Sequence, residues 1–194
     1  TAMISNKHKC IFVHVPKTGG TSIEWALHNC NQPIRHDPYN SSNFHLKHKT
    51  SKEICELNPV EWEQYFKFTV VRNPWDWLVS WYFWRKLVKK MSFKEFLLNY
   101  NLSKHGYPPL PDVINFTNYL TIDDKLVMDH TCRFENLQHD FQVVCDKLKI
   151  NPTLPHIHKT NHKHYTEYYD DETRQIVAEK YAQDIEYFGY EFEG

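Results

Sequence analysis

Residues Ile11 to Leu27 read IFVHVPKTGGTSIEWAL, and the reading of this stretch decides the fold. Ile11, Phe12, Val13 and Val15 form an apolar, β-branched and aromatic run long enough for one buried strand. Pro16 ends that strand, and Lys17, Thr18, Gly19 and Gly20 supply a tight turn. From Thr21 the spacing becomes helical, with Ile23, Ala26 and Leu27 on one face. A strand, a glycine turn and a helix start bring unpaired backbone N–H groups and the positive end of a helix dipole to one point, which suits an anionic group. Lys17 adds a full charge there, and Thr18, Thr21 and Ser22 add hydroxyls. The stretch reads as a loop that grips a phosphate-like group, the plain alternative being a strand–turn–helix with a surface lysine.

The order of residues separates this loop from the common nucleotide-triphosphate loop. That loop is G-x-x-x-x-G-K-[ST], with lysine after the second glycine and a hydroxyl for magnesium. Here the lysine precedes both glycines, and no G-K-[ST] occurs.

Length and composition bound the rest. A chain of 194 residues is most simply one domain with a core of its own. Thr1 and Ala2, ahead of Met3, read as an appended remnant outside the fold. The net charge of -1 offers no global attraction for nucleic acid or membrane. Cys10, Cys30, Cys55, Cys132 and Cys145 are odd in number and lack C-x-x-C spacing, which points to reduced thiols in a reducing compartment. No apolar run approaches transmembrane length, so a soluble, cytoplasmic protein is expected.

Along the chain, Asn29 to Lys49 is polar and proline-bearing and reads as loop. Thr50 and Glu53 have capping-box spacing for a short helix to Leu57, and Pro59 opens another to about Phe66. Phe66–Val71 is a second strand candidate, followed by Arg72, Asn73 and Pro74. A long aromatic helix is then predicted from Trp75 to Lys90, with Ser80 two turns in and cations at its end. Its tryptophans read as core by default. Ser92 and Glu95 cap a further helix. Leu126–Met128 is a third strand candidate, with Thr131–Phe134 continuing it or forming another, and an amphipathic helix follows Asn136. One closing helix is predicted from Asp170 or Asp171, burying Ile176, Val177, Tyr181, Ile185 and Phe188. Alternating strands and helices argue for an α/β fold with a mostly parallel central sheet flanked by helices. In such sheets ligands sit beyond the carboxyl ends of strands, where both Lys17 and Arg72 fall.

The stretch PKTGGTS resembles the 5′-phosphosulfate loop of sulfotransferases that use the donor PAPS (3′-phosphoadenosine 5′-phosphosulfate). FKFTVVRNPWDWLVSWY resembles their 3′-phosphate motif, in which an arginine ends a strand and a serine follows eight residues later, here Arg72 and Ser80. The likeness continues through CRFENLQHDFQVVCDKL and the closing segment after His158, and covers nearly the whole chain. The protein is thus similar to the family that holds the Golgi carbohydrate sulfotransferases and many bacterial relatives. It differs from the Golgi members in lacking an anchor and stem, which implies a cytoplasmic, bacterial-type enzyme (a "sulfotransferase family 2" member).

The resemblance implies a P-loop-nucleotide-kinase-like three-layer fold, one sulfotransferase domain over residues 3–194, and sulfuryl transfer from PAPS to a hydroxyl or amine of a small-molecule or carbohydrate acceptor. Lys17 is expected on the bridging oxygen of the leaving phosphate. The N–H groups of Thr18, Gly19, Gly20 and Thr21, with the Thr21 and Ser22 hydroxyls, are expected on the 5′-phosphate, and Arg72 and Ser80 on the 3′-phosphate. No magnesium is required in principle.

For the base, FHLKHKTSKEI offers His48 and His45, of which His48 is favoured, with Glu24 a third candidate. In the basic loop PHIHKTNHKHY, Lys159, Thr160 and Lys163 are expected near phosphate or ribose, against the alternative of a solvated loop. Its H-x-H pairs lack an element to hold a metal. The other readings are a small-molecule kinase on the same fold and a catalytically silent nucleotide-binding protein.

Overall fold

The computed structural model describes residues 3–28, 48–98, 115–155 and 162–193. In chain order they form β1 (Met3–Ser5), β2 (Cys10–Val13), α1 (Gly20–His28), α2 (Ser51–Leu57), α3 (Pro59–Gln64), β3 (Phe66–Val71), α4 (Pro74–Trp84), α5 (Phe93–Leu98), α6 (Phe116–Leu120), β4 (Thr121–Ile122), β5 (Lys125–Leu126), β6 (His130–Arg133), α7 (Leu137–Leu148), α8 (Asp171–Lys180) and α9 (Ala182–Phe188). They fall into two compact units, residues 1–71 with 119–159 and residues 72–118 with 160–194.

The first unit is built on a sheet of order β1-β2-β3-β6. β2, β3 and β6 are parallel, and β1 joins the edge antiparallel to β2. The expected mixed α/β architecture with a mostly parallel central sheet is therefore present. Alternate strand residues Cys10, Phe12, Phe68, Val70 and Cys132 line one face. They pack against Ile23, Ala26 and Leu27 of α1 and Phe141, Val144 and Cys145 of α7. Asp129 sets the register of β3 against β6, because its carboxylate and its N–H pair with the backbone N–H and carbonyl of Lys67 at 2.7 and 2.8 Å. The described cysteines are free thiols, with Cys10, Cys132 and Cys145 buried and Cys55 half-buried. Burial, with the Asp140 charge second, pushes the Cys132 thiol up to about 12.

Of the two later strand candidates, Thr131–Phe134 forms a strand of the central sheet, as β6, and Leu126–Met128 does not. Leu126 belongs to the β4–β5 hairpin, outside the central sheet, and β6 joins the sheet at its edge, parallel to β3. The cause is the Asp123–Asp124 pair, whose φ values of 49° and 59° make the doubly left-handed turn that closes a two-residue hairpin.

The second unit gathers around aromatic rings. Trp77 meets Trp81, Phe116 and Tyr181 with ring centroids 5.3–6.0 Å apart, so these tryptophans are core, whereas Trp84 is exposed. The aromatic helix is shorter than predicted. It stops at Trp84, Lys86 adopts a left-handed φ of 56°, and Leu87–Lys89 form a separate 3₁₀ turn. At this break Arg85 is buried, with its guanidinium 5.1 Å from the Trp81 ring centroid. The closing helix likewise divides at buried Tyr181 into α8 and α9. Asp170 caps α8 as expected, and both predicted capping boxes, Thr50–Glu53 and Ser92–Glu95, are formed.

Asp184 holds the start of α6. Its carboxylate accepts from the N–H groups of Phe116 and Thr117 at 2.7 and 2.8 Å and from Thr117 Oγ1 at 2.9 Å. Burial raises its pKa, opposed by these hydrogen bonds. Asp184→Ala would leave three donors without that acceptor. A loss of about 3 kcal/mol in unfolding free energy is expected, checked by urea denaturation.

Candidate functional site

The loop after β2 coils through two left-handed residues, Lys17 at φ 64° and Gly19 at φ 81°. For lysine this conformation costs about 1–2 kcal/mol. Such strain concentrates at functional sites. The buried Thr18 hydroxyl donates to Val15 O at 2.8 Å and closes the turn, so the part of Thr18 presented to a ligand is its N–H. Among the described residues, no backbone hydrogen bond takes up the N–H groups of Thr18, Gly19, Gly20 or Thr21. They precede or open the nine-residue helix α1, whose dipole adds to them. Ser22 is buried, while Lys17 and Thr21 are half-buried beside these donors.

Beneath the loop lies a pair of side chains that the sequence reading did not combine. His14 Nδ1 is 2.8 Å from Glu24 Oε1, and the two residues are 4% and 2% exposed. The His14 ring lies so close to the start of α1 that a Cβ at Gly20 would meet its Cδ2 and Nε2 at 2.2 Å. Gly20 and Glu24 are one turn apart on the same helix face, one giving the ring room and the other anchoring it. Alternation along the strand and the i, i+4 spacing were the available signals.

His48 stands beside this pair. Its Nδ1 is 2.9 Å from the backbone oxygen of His14, and the two rings meet edge to face at 4.4 Å and 69°. A carbonyl only accepts, so Nδ1 carries the proton and the neutral ring has its basic lone pair on Nε2. The Tyr119 hydroxyl donates to the His48 carbonyl at 3.4 Å. Burial, with the Glu53 charge second, pushes Tyr119 up to about 12, which keeps it a neutral donor near neutral pH. Lys17, Gly20, Glu24 and His48 thus belong to one unit, and His45 lies outside the described residues.

Arg72 and Ser80 belong to the other unit. Arg72 directly follows β3 and is buried, with its Nε donating to Asp76 Oδ2 at 2.7 Å. Asn73 caps α4 by accepting from Trp75 N, and Asp76 and Ser80 then fall on one face of that helix. Asp76, which orients the Arg72 fork, is a residue the motif spacing did not single out. Ser80 is buried. Lys163 is exposed and pairs with Glu167 at 2.9 Å. That hydrogen bond is the main cause of its raised pKa. Lys159 and Thr160 lie outside the described residues. Among the described residues no group of three or more His, Cys, Asp or Glu side chains is placed to hold a metal ion. None of their helices is long and apolar enough to cross a membrane.

A sheet whose loop leaves N–H donors and a lysine at a strand end, beside an oriented histidine, has the parts of a group-transfer enzyme acting on an anionic donor. A family model described as the sulfotransferase family matches residues 1–191. The chain belongs to the sulfotransferase family, and its reaction class is sulfotransfer. A comparison with the curated proteins finds no match.

Gly20→Ala tests the packing of this site directly. The added methyl would force the anchored His14 ring to move. A loss of about 1–3 kcal/mol is expected, measured as a lower midpoint of thermal or urea unfolding.

Proposed function

We propose that the protein transfers a sulfuryl group from PAPS to a hydroxyl or amine of a small-molecule or carbohydrate acceptor. The reading rests chiefly on one observation: among the described residues the four N–H groups of Thr18 to Thr21 have no backbone acceptor, and they follow Lys17 in the loop after β2. These donors fit a 5′-phosphosulfate, since Gly19 takes the left-handed turn of the loop and the donors stand at the start of α1, with the helix dipole behind them. When bound, the donor supplies an activated sulfuryl group whose leaving group is a phosphate.

In this reading Lys17 places its ammonium where negative charge grows on the leaving oxygen, and the loop N–H groups with Thr21 and Ser22 hold the phosphate. His48 accepts the acceptor's proton at Nε2. Arg72, oriented by Asp76, and Ser80 bind the 3′-phosphate, and Lys159, Thr160 and Lys163 close on the nucleotide. For Lys163 this requires exchange of its Glu167 partner. The fold is read as P-loop-nucleotide-kinase-like and three-layered, residues 3–194 act as one sulfotransferase domain, and the free thiols fit a cytoplasmic setting.

Adenosine 3′,5′-bisphosphate is the direct probe. A ligand that binds only the folded state adds about 2.7 kcal/mol of stability at a hundredfold excess over its dissociation constant. The bisphosphate is expected to raise the thermal midpoint without magnesium; a rise only with ATP and magnesium would replace this reading with a kinase. Arg72→Ala should weaken the bisphosphate about 10- to 100-fold relative to adenosine 5′-phosphate, the value of a charge-assisted contact. Unchanged discrimination would remove Arg72 from the 3′ site. Lys17→Ala should lower turnover about 10²- to 10³-fold with much less effect on bisphosphate affinity. Turnover equal to wild type would exclude the assigned role.

A further inference from the structure

His14 touches both the anion loop and the candidate base. Its ring fills the space over Gly20, its edge-to-face contact at 4.4 Å walls one side of His48, and its backbone oxygen fixes the His48 Nδ1 proton. Glu24 Oε1 in turn accepts from His14 Nδ1 at 2.8 Å in a setting closed to water. A buried carboxylate beside an imidazole fixes both the tautomer and the orientation of the ring. From this geometry we infer that His14 and Glu24 are positioning residues, which hold His48 as an Nε2 base at a fixed place relative to the anion loop.

The inference rests on the sulfotransferase reading of the loop and of His48. It assigns Glu24 a role other than base, because its Oε1 is committed to His14 inside the protein. The physical gain is geometric. A base must stand within hydrogen-bond reach of the proton it takes, and an error of 1 Å costs on the order of 10²-fold in rate. Gly20 and Glu24 set that distance from the helix, while the segment directly after β2 sets it through the His14 backbone. A ring at position 14 without its carboxylate partner can rotate about its χ angles, and the His48 ring loses the wall it rests on.

The test is the tautomer of His48, read from long-range proton–nitrogen spectra of protein labelled with ¹⁵N-histidine and assigned with His48→Ala. Wild type is expected to carry the proton on Nδ1. In Glu24→Ala the ratio of the Nδ1–H to the Nε2–H form should fall about tenfold, the size of one hydrogen bond. Glu24→Gln, whose amide oxygen still accepts from His14 Nδ1, should restore it. His14→Asn, which can keep a donor toward Glu24 but removes the ring, should show the same fall and serves if Glu24→Ala does not fold. A wild-type proton on Nε2, or an unchanged ratio in a folded Glu24→Ala or His14→Asn protein, would overturn the assignment. Adenosine 3′,5′-bisphosphate titrations of the same samples separate the two questions. The variants should bind it within about threefold of wild type, a difference under 1 kcal/mol. Failure of wild type itself to bind removes the donor-site reading and leaves the tautomer ratios to judge the packing of His48.

Discussion

A side chain at position 20 and the His14 imidazole exclude one another in this fold, since their atoms would stand 2.2 Å apart. That single steric constraint organises the first unit around its loop. It fixes where α1 begins and so which N–H groups point out of the helix start. It also leaves Glu24, one turn on, opposite the ring that occupies the vacated space. The same ring then serves as the surface against which His48 rests. The glycine is needed here for its lack of volume. Its neighbour Gly19 is needed for a backbone angle.

Carboxylates do much of the fastening in both units, in different ways. Asp129 ties β3 to the approach of β6 and Asp140 accepts from Arg133 N at 2.7 Å, so the parallel strands are pinned by side chains at their ends as well as by the ladder. Asp184 replaces the missing intrahelical partners at the start of α6. Asp76 holds Arg72 at the start of α4. Each supplies an acceptor to backbone or guanidinium donors, and at buried Asp184 those hydrogen bonds oppose the desolvation of the carboxylate.

Much of this was legible in the sequence because it depends on residues close together in the chain. The strand–loop–helix at Lys17, the strand Phe66–Val71 and the capping boxes at Thr50 and Ser92 follow from local chemistry, and they appear where that chemistry puts them. What escaped is set by contacts distant in sequence or by backbone handedness. The edge strand Met3–Ser5 is three residues long and has meaning only beside β2. The hairpin at Asp123–Asp124 and the break at Lys86 turn on positive φ values at residues that are not glycine. The approach of His48 to His14 spans 34 residues of chain, and motif spacing carries no trace of it. His14 itself sits inside the most informative stretch of the protein. An alternating strand pattern assigns it to a face without saying what lies there.

The described cysteines give the first unit an internal timer. Cys10, Cys132 and Cys145 lie in one apolar cluster between the sheet and its helices, and Cys132 keeps its proton far above neutral pH. Thiolates are the reactive species, so an alkylating reagent meets these sulfurs only when the layers part. Cys55, on α2, is half-buried and open to modification without that event. The rate at which the three clustered thiols acquire label, compared with Cys55, measures how often the sheet uncovers its interior.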